Sequence, residues 1–228
     1  MNEQRVQTSE ALRVGLVLAL AGGYLDAYTY LCRGGVFANA ETGNMVLLGV
    51  KLAAGDWAAA AKYLPPIFAF FLGVLAAEAI RRRGKAAPAA KLHWRQWVLA
   101  LEIGVLAAAA FAPLGGAWDM AVNWAVSFVC ALQVESFRRV HGKAYATTMC
   151  TGNLRSGTEL LYQYFQTRDR GILRSSLRYY QVIVAFIAGA AVSAVLAGPL
   201  GQWSVLAACG LLAVVLVVLS RAEVTSRE

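Results

Sequence analysis

Charge is scarce in this chain of 228 residues: Asp, Glu, Lys and Arg together make up 15% of it, against 59% apolar residues. A soluble domain carries about a quarter charged residues, so this composition and the mean hydropathy of +0.54 exclude an ordinary water-facing globule and indicate an integral membrane protein. Histidine is nearly absent, at two residues, and the four cysteines (Cys32, Cys130, Cys150 and Cys209) show neither a Cys-x-x-Cys pair nor a metal-ligand spacing. Neither a disulfide framework, nor a metal site, nor a cofactor is indicated. The sequence pairs no nucleophile with a base, which puts an enzyme last among the readings. The segment Met1 to Arg13 is polar and lacks a small-residue cleavage site after a short apolar core, so no cleaved signal peptide is expected.

What the chain has in abundance is apolar runs: Val14 to Leu25, Tyr63 to Ala77, Trp97 to Gly116, Met120 to Val134, Tyr179 to Gly201 and Val205 to Ser220. Each approaches or exceeds the ~20 residues that cross a hydrocarbon core as a helix. Two shorter elements, Gly43 to Ala54 and Gly152 to Phe165, decide the architecture. The net charge of +8 is gathered into one connection from Arg81 to Arg95 and a second region from Arg138 to Arg178. That placement is a topology signal, with contacts to anionic lipid, rather than a nucleic-acid surface. If both short elements crossed the membrane, one basic cluster would lie outside. With six spans and both termini inside, both clusters and the Arg221 to Arg227 tail become cytoplasmic, leaving Arg33, Lys51 and Lys62 outside.

An acidic residue followed sixteen positions later by Thr-Gly-Asn occurs twice. Asp26 leads to Thr42-Gly43-Asn44 and Glu135 to Thr151-Gly152-Asn153, with every member displaced by 109 positions. Ala69-Phe70-x-x-Gly73 likewise matches Ala185-Phe186-x-x-Gly189, and Trp97 with Gly104 matches Trp203 with Gly210. The pattern predicts an all-α tandem repeat, residues 1–116 and 117–228, each with three spans and one half-span helix. Three is odd, so the second repeat is expected upside down relative to the first.

Thr42 is expected to N-cap the first short helix, with Gly43 permitting close packing and Asn44 offering both donor and acceptor. Non-helical backbone at membrane depth survives where protein or a water-filled cavity satisfies it. Two inverted breaks would therefore aim two helix N-termini at the centre, favouring an anion or the electronegative end of a polar solute. A single copy reads most simply as a cap and a tight helix contact. Two copies, each with an acid, favour a site lined by Thr42, Gly43, Asn44, Thr151, Gly152 and Asn153.

Asp26 and Glu135 are candidate gating, cation-binding or proton-coupling carboxylates. For Glu135 the competing reading is an ion pair at the membrane edge with Arg138 or Arg139. Tyr24 and Gln133, equivalent under the offset, are candidates to hydrogen-bond a solute. Tyr30 reads better as part of an interfacial aromatic belt. Glu78 is expected to pair with the Arg81 cluster, Glu102 to contact another helix, and Arg155 and Glu159 to pair along one helix face, Arg155 lying close enough to its motif to recruit an anion.

The string Gly22-Gly23-Tyr24-Leu25-Asp26-Ala27-Tyr28, with Gly35-Val36-Phe37 and Thr42-Gly43-Asn44, resembles the opening signature of the YoaK-like family of bacterial membrane proteins. Ala40-Glu41 departs from that pattern. The resemblance covers nearly the whole chain and implies a six-span protein of the bacterial inner membrane, with no substrate attached.

The leading expectation is a small transporter or channel moving a small polar or ionic solute between the repeats, with proton or cation coupling open to its carboxylates. The alternative is a non-transporting scaffold or assembly factor that binds a partner or anionic lipid through its basic face. Gly and Ala in the spans permit a homodimer.

Overall fold

The computed structural model describes residues 11–86, 94–137, 139–140, 143–144, 148 and 150–225. Lys91, His93, Arg138, His141 and Arg227 of the basic segments lie outside the described residues.

The chain forms helices almost throughout. In order they are α1 (Leu12–Cys32), α2 (Glu41–Ala53), α3 (Trp57–Ala61), α4 (Leu64–Ala86), α5 (Trp94–Ala109), α6 (Gly116–Ser136), α7 (Cys150–Thr167), α8 (Arg170–Leu200) and α9 (Val205–Thr225). A two-residue antiparallel ladder, Arg139–Val140 with Lys143–Ala144, lies between α6 and α7. Asp169 caps α8 by accepting the Gly171 N–H at 2.6 Å, and Asp56 caps α3 through the Ala59 N–H at 3.1 Å.

Four helical stretches among the described residues are long and apolar enough to cross a membrane: Leu12–Cys32, Trp57–Arg83, Gly116–Ser136 and Arg170–Arg221. The last is interrupted at Gly201, where a single 3-10 turn, Gly201–Ser204, separates α8 from α9. α5 has 16 residues, fewer than the span from Trp97 to Gly116 suggests. It stops at Ala109 because Pro113 and the left-handed Gly115 and Gly116 turn the chain into α6.

Partners are far apart in sequence. α1 packs along α8, α4 along α6, and α5 against α9; α5 also meets α6, and α1 meets α9. The main core gathers Leu18, Leu25, Tyr28, Leu99, Leu106, Val126, Leu212 and their neighbours from α1, α5, α6 and α9. α1 and α8 approach at backbone distance. A Cβ on Gly23 would lie 2.0 Å from the Phe186 carbonyl oxygen, and one on Gly189 would lie 1.9 Å from that of Leu20. Small residues let bilayer helices gain dispersion contact in this way.

Arg33 is fully buried at the C-cap of α1. Its guanidinium donates to the carbonyls of Ala109 (2.9 Å), Ala112 (2.9 Å) and Pro113 (2.7 Å), to the Tyr28 hydroxyl (2.9 Å) and to Asp119 Oδ1 (3.3 Å). It thereby caps the C-terminal end of α5, where carbonyls lack helical partners and the dipole favours a cation. Asn123 Nδ2 in turn donates to the Arg33 carbonyl at 2.7 Å.

Candidate functional site

The site begins with a reversal of the chain after α1. Gly34 and Gly35 take φ of +81° and +74°, which side-chain-bearing residues rarely adopt. Asn39 then lies back beside Asp26, its backbone N–H donating to Asp26 Oδ1 at 2.6 Å, with the Ala40 N–H on the same oxygen at 3.3 Å. Asp26 is seven residues down α1 from Arg33, about 10 Å of helix. The segment from Gly34 to Ala40 thus folds back along α1, and α2 starts beside Asp26.

Thr42 is not the N-cap of α2. The cap is Ala40, which makes no side-chain cap bond, and Glu41 is the first helical residue. The physical reason is tertiary: Asp26 accepts the N–H groups of the approaching chain, so the helix starts without a local hydroxyl. Asn44, fully buried, holds the returning backbone from the other side. Its Oδ1 accepts the Phe37 N–H at 2.9 Å, while its Nδ2 donates to the Phe37 carbonyl at 2.8 Å and to Glu41 Oε2 at 2.9 Å. Buried irregular backbone requires such partners. Gly43 lies under the Phe37 ring, 2.9 Å from where its Cβ would be, and Thr42 is exposed.

The second copy is arranged differently. α7 begins at Cys150, ahead of Thr151. Asn153 is buried, while Thr151 and Gly152 are exposed. Thr151 opens onto a groove of about 600 Å³ along α7, shared with Leu154, Arg155, Thr158, Glu159 and Tyr162. Arg155 pairs with Glu159 at 3.0 Å, as its spacing predicts. Glu78 likewise pairs with Arg81, at 2.6 Å. Glu135 is half-buried in the last turn of α6.

The two breaks converge on one point of α1. Asn39 Nδ2 donates to the Gly22 carbonyl at 3.4 Å. The buried Thr148 packs against the same glycine, where a Cβ would lie 2.6 Å from Thr148 Cγ2. Glu41 and Cys150, the first residues of α2 and α7, both lie within electrostatic reach of Asp26. Cys130 of α6 is within reach of Asp26, Glu41 and Glu102. The centre therefore holds Asp26, Asn39, Glu41, Cys130, Thr148 and Cys150, of which the sequence argument singled out Asp26 alone. The signal was present: the offset of 109 relates Asn39 to Thr148 and Glu41 to Cys150, though the residue types differ.

Asp26 Oδ2 and Glu41 Oε1 are buried and have no hydrogen-bond partner. Among the described residues neither is in an ion pair. Tyr24 and Gln133 are buried between helices. The Tyr24 hydroxyl donates to the Ser204 carbonyl at 2.7 Å, tying α1 to the start of α9. Gln133 Nε2, oriented toward the fully buried Glu102, donates to Oε1 at 2.7 Å and to Oε2 at 3.3 Å, tying α6 to α5. No group of three His, Cys, Asp or Glu side chains among the described residues is placed to hold a metal.

Apolar helices of spanning length define a membrane-like helical protein, here with buried acids at its centre. The chain belongs to the DUF1275 family, described as a protein of unknown function, whose model matches residues 14–218. The YoaK-like resemblance is consistent with that membership. No curated protein and no solved structure matches the chain.

Proposed function

We propose that the protein is a small membrane transporter or channel in which a small polar or ionic solute passes the point where the two breaks meet. The observation that carries this reading is the pair of buried, unpartnered oxygens, Asp26 Oδ2 and Glu41 Oε1, at that point. Polar groups inside a bilayer are costly and are kept where they serve an ion or solute path. Asn44 and Asn153 stand behind the two walls, with Thr42, Gly43, Thr151 and Gly152 on the turns leading to them. Asp26 is the coupling or gating carboxylate and Glu135 its counterpart toward the inner edge. Tyr24 and Gln133 fix α9 and α5 around the path.

The architecture in this reading is six spans, with α5 crossing and α8 and α9 counted separately, in two inverted halves, residues 1–116 and 117–228. The termini are cytoplasmic and the membrane is the bacterial inner one. The packing supports it. Each half lends its first long helix to the other: α1 to α8, α6 to α4, with α5 against α9 between them. Gly73 and Gly189, equivalent in the pattern, both sit at those crossings, Gly73 against Phe128 and Ala131 and Gly189 against Leu20. Such exchange about a pseudo-twofold is how inverted-repeat carriers place a site near the midplane.

The test is uptake by proteoliposomes across a panel of small labelled solutes and ions, with Asp26→Asn and Asn44→Ala as variants. Uptake above empty liposomes that falls in both variants is the expected result. Absence of flux across the panel, or flux indifferent to both variants, refutes the reading.

A further inference from the structure

We propose that the central site takes a single positive charge, a proton or a small monovalent cation, and excludes anions. The inference rests on the transport reading for its purpose, and on the geometry around Asp26 and Glu41 for its sign. A helix N-terminus at membrane depth ordinarily attracts an anion, through its free N–H groups and its dipole. At α2 that attraction is met from within the chain. Asp26 Oδ1 takes the N–H groups of Asn39 and Ala40, and Glu41 occupies the first turn.

What remains at the centre is an excess of acid. Asp26 is 5% and Glu41 9% exposed, and each turns one unpartnered oxygen into the interior within electrostatic reach of the other. The titratable groups facing them are Cys130 from α6, Cys150 from α7 and, beyond Cys130, Glu102 from α5 under the Gln133 amide. All are acids or thiols. Among the described residues, the groups acting on Asp26 are backbone N–H donors and those acting on Glu41 are Asn44 and Asp26, with no Lys or Arg among them. Arg33, the buried cation farther along α1, is held by Asp119, Tyr28 and three carbonyls.

Two neighbouring carboxyls withdrawn from water cannot both stay ionised without a positive partner. Among the described residues none is supplied, and the bound species is placed to supply it. Calcium and magnesium take six or more oxygens, and among the described residues no three His, Cys, Asp or Glu side chains are placed to hold a metal, whereas two free oxygens suit one proton or one monovalent ion that keeps part of its hydration shell. An anion would meet two more negative groups.

The experiment uses the full chain in proteoliposomes adsorbed on a solid-supported membrane, where charge entering the protein appears as a transient current even without sustained flux. Three arms are run: a pH jump at fixed salt, jumps of sodium, potassium or methylammonium at fixed pH, and jumps of chloride or phosphate at fixed cation. The expected result is a transient in the first or second arm, which of the two identifying proton or cation. It should fall at least tenfold in Asp26→Asn and in Glu41→Gln and persist in Asp56→Asn, at the outer cap of α3. Asp26→Asn keeps an oxygen for the Asn39 and Ala40 N–H groups, so the fold is retained; monodisperse elution in detergent checks this, and Glu41→Gln serves alone where it fails. Transients from the anion arm alone, transients unchanged in both variants, or no transient in any arm overturn the proposal. Solute uptake lost without loss of the transient would count against the transport reading alone.

Discussion

Replacing Arg33 by Met removes five hydrogen bonds and keeps most of the side chain's length. Three of the abandoned acceptors are the carbonyls of Ala109, Ala112 and Pro113 at the end of α5, and a fourth is the Asp119 carboxylate. A buried carbonyl left without its donor costs about 1–3 kcal/mol, so the three together cost roughly 3–5 kcal/mol once the corner relaxes. At about 2–4 °C per kcal/mol for a chain of this size, the unfolding midpoint should fall by roughly 6–20 °C. The contributions are unequal. The contact to Asp119, at 3.3 Å, is the longest of the five and partly open to solvent, with Asp119 17% exposed. Asp119→Asn should therefore cost about 1 kcal/mol or less, and Arg33→Lys, which keeps the charge and loses the planar fork, should fall between. Intrinsic tryptophan fluorescence during heating in detergent follows all three. Equal shifts for Arg33→Met and Asp119→Asn would mean that the ion pair, not the carbonyl cap, holds this corner. A shift under 2 °C for Arg33→Met would refute the account altogether.

Gly23→Val and Gly189→Val should each abolish a folded, monodisperse protein, because the new Cβ meets a carbonyl oxygen at about van der Waals overlap; Gly104→Ala, with nothing within 4 Å, should be neutral or raise stability by up to about 1 kcal/mol. Asn44→Ala leaves the Phe37 N–H and carbonyl unpaired, at about 1–3 kcal/mol each, and limited proteolysis should then nick the chain between Gly34 and Ala40, where the wild type resists. Tyr24→Phe removes the bond to the Ser204 carbonyl and should lower the midpoint by about 2–4 °C, for about 1 kcal/mol lost; no measurable change would mean that water replaces the hydroxyl there.

Periodicity and composition make the helices legible, since spans are written in long apolar runs, and the repeated acid with Thr-Gly-Asn marks where the helices are interrupted. Three particulars were not legible, for different reasons. The start of α2 depends on Asp26 reaching the backbone of Asn39 and Ala40, a tertiary contact that no local capping rule contains. The burial of Arg33 depends on where α5 ends, 76 residues later in sequence at Ala109. Glu41 and Cys150 escape a search for like residues, because an equivalent position preserves place and backbone geometry while its chemistry diverges. Asn44 was legible as a polar group at the break; that its amide serves Phe37 depends on the reversal at Gly34 and Gly35, which no local pattern encodes.

The interlocked packing sets the order in which the molecule can be made. α1 leaves the ribosome well before its main partner, α8, which starts at Arg170, 138 residues after Cys32. At about 5–20 residues per second of synthesis, α1 waits roughly 7–28 s for the surface it is shaped to meet. During that interval Gly22 and Gly23 face lipid or the insertion machinery, and Asp26 depends on the segment from Gly34 to Ala40 for cover. The reversal at Gly34 and Gly35 is therefore an early shield as well as a wall: it closes over the buried acid using neighbours already synthesised, long before the second half of the chain exists.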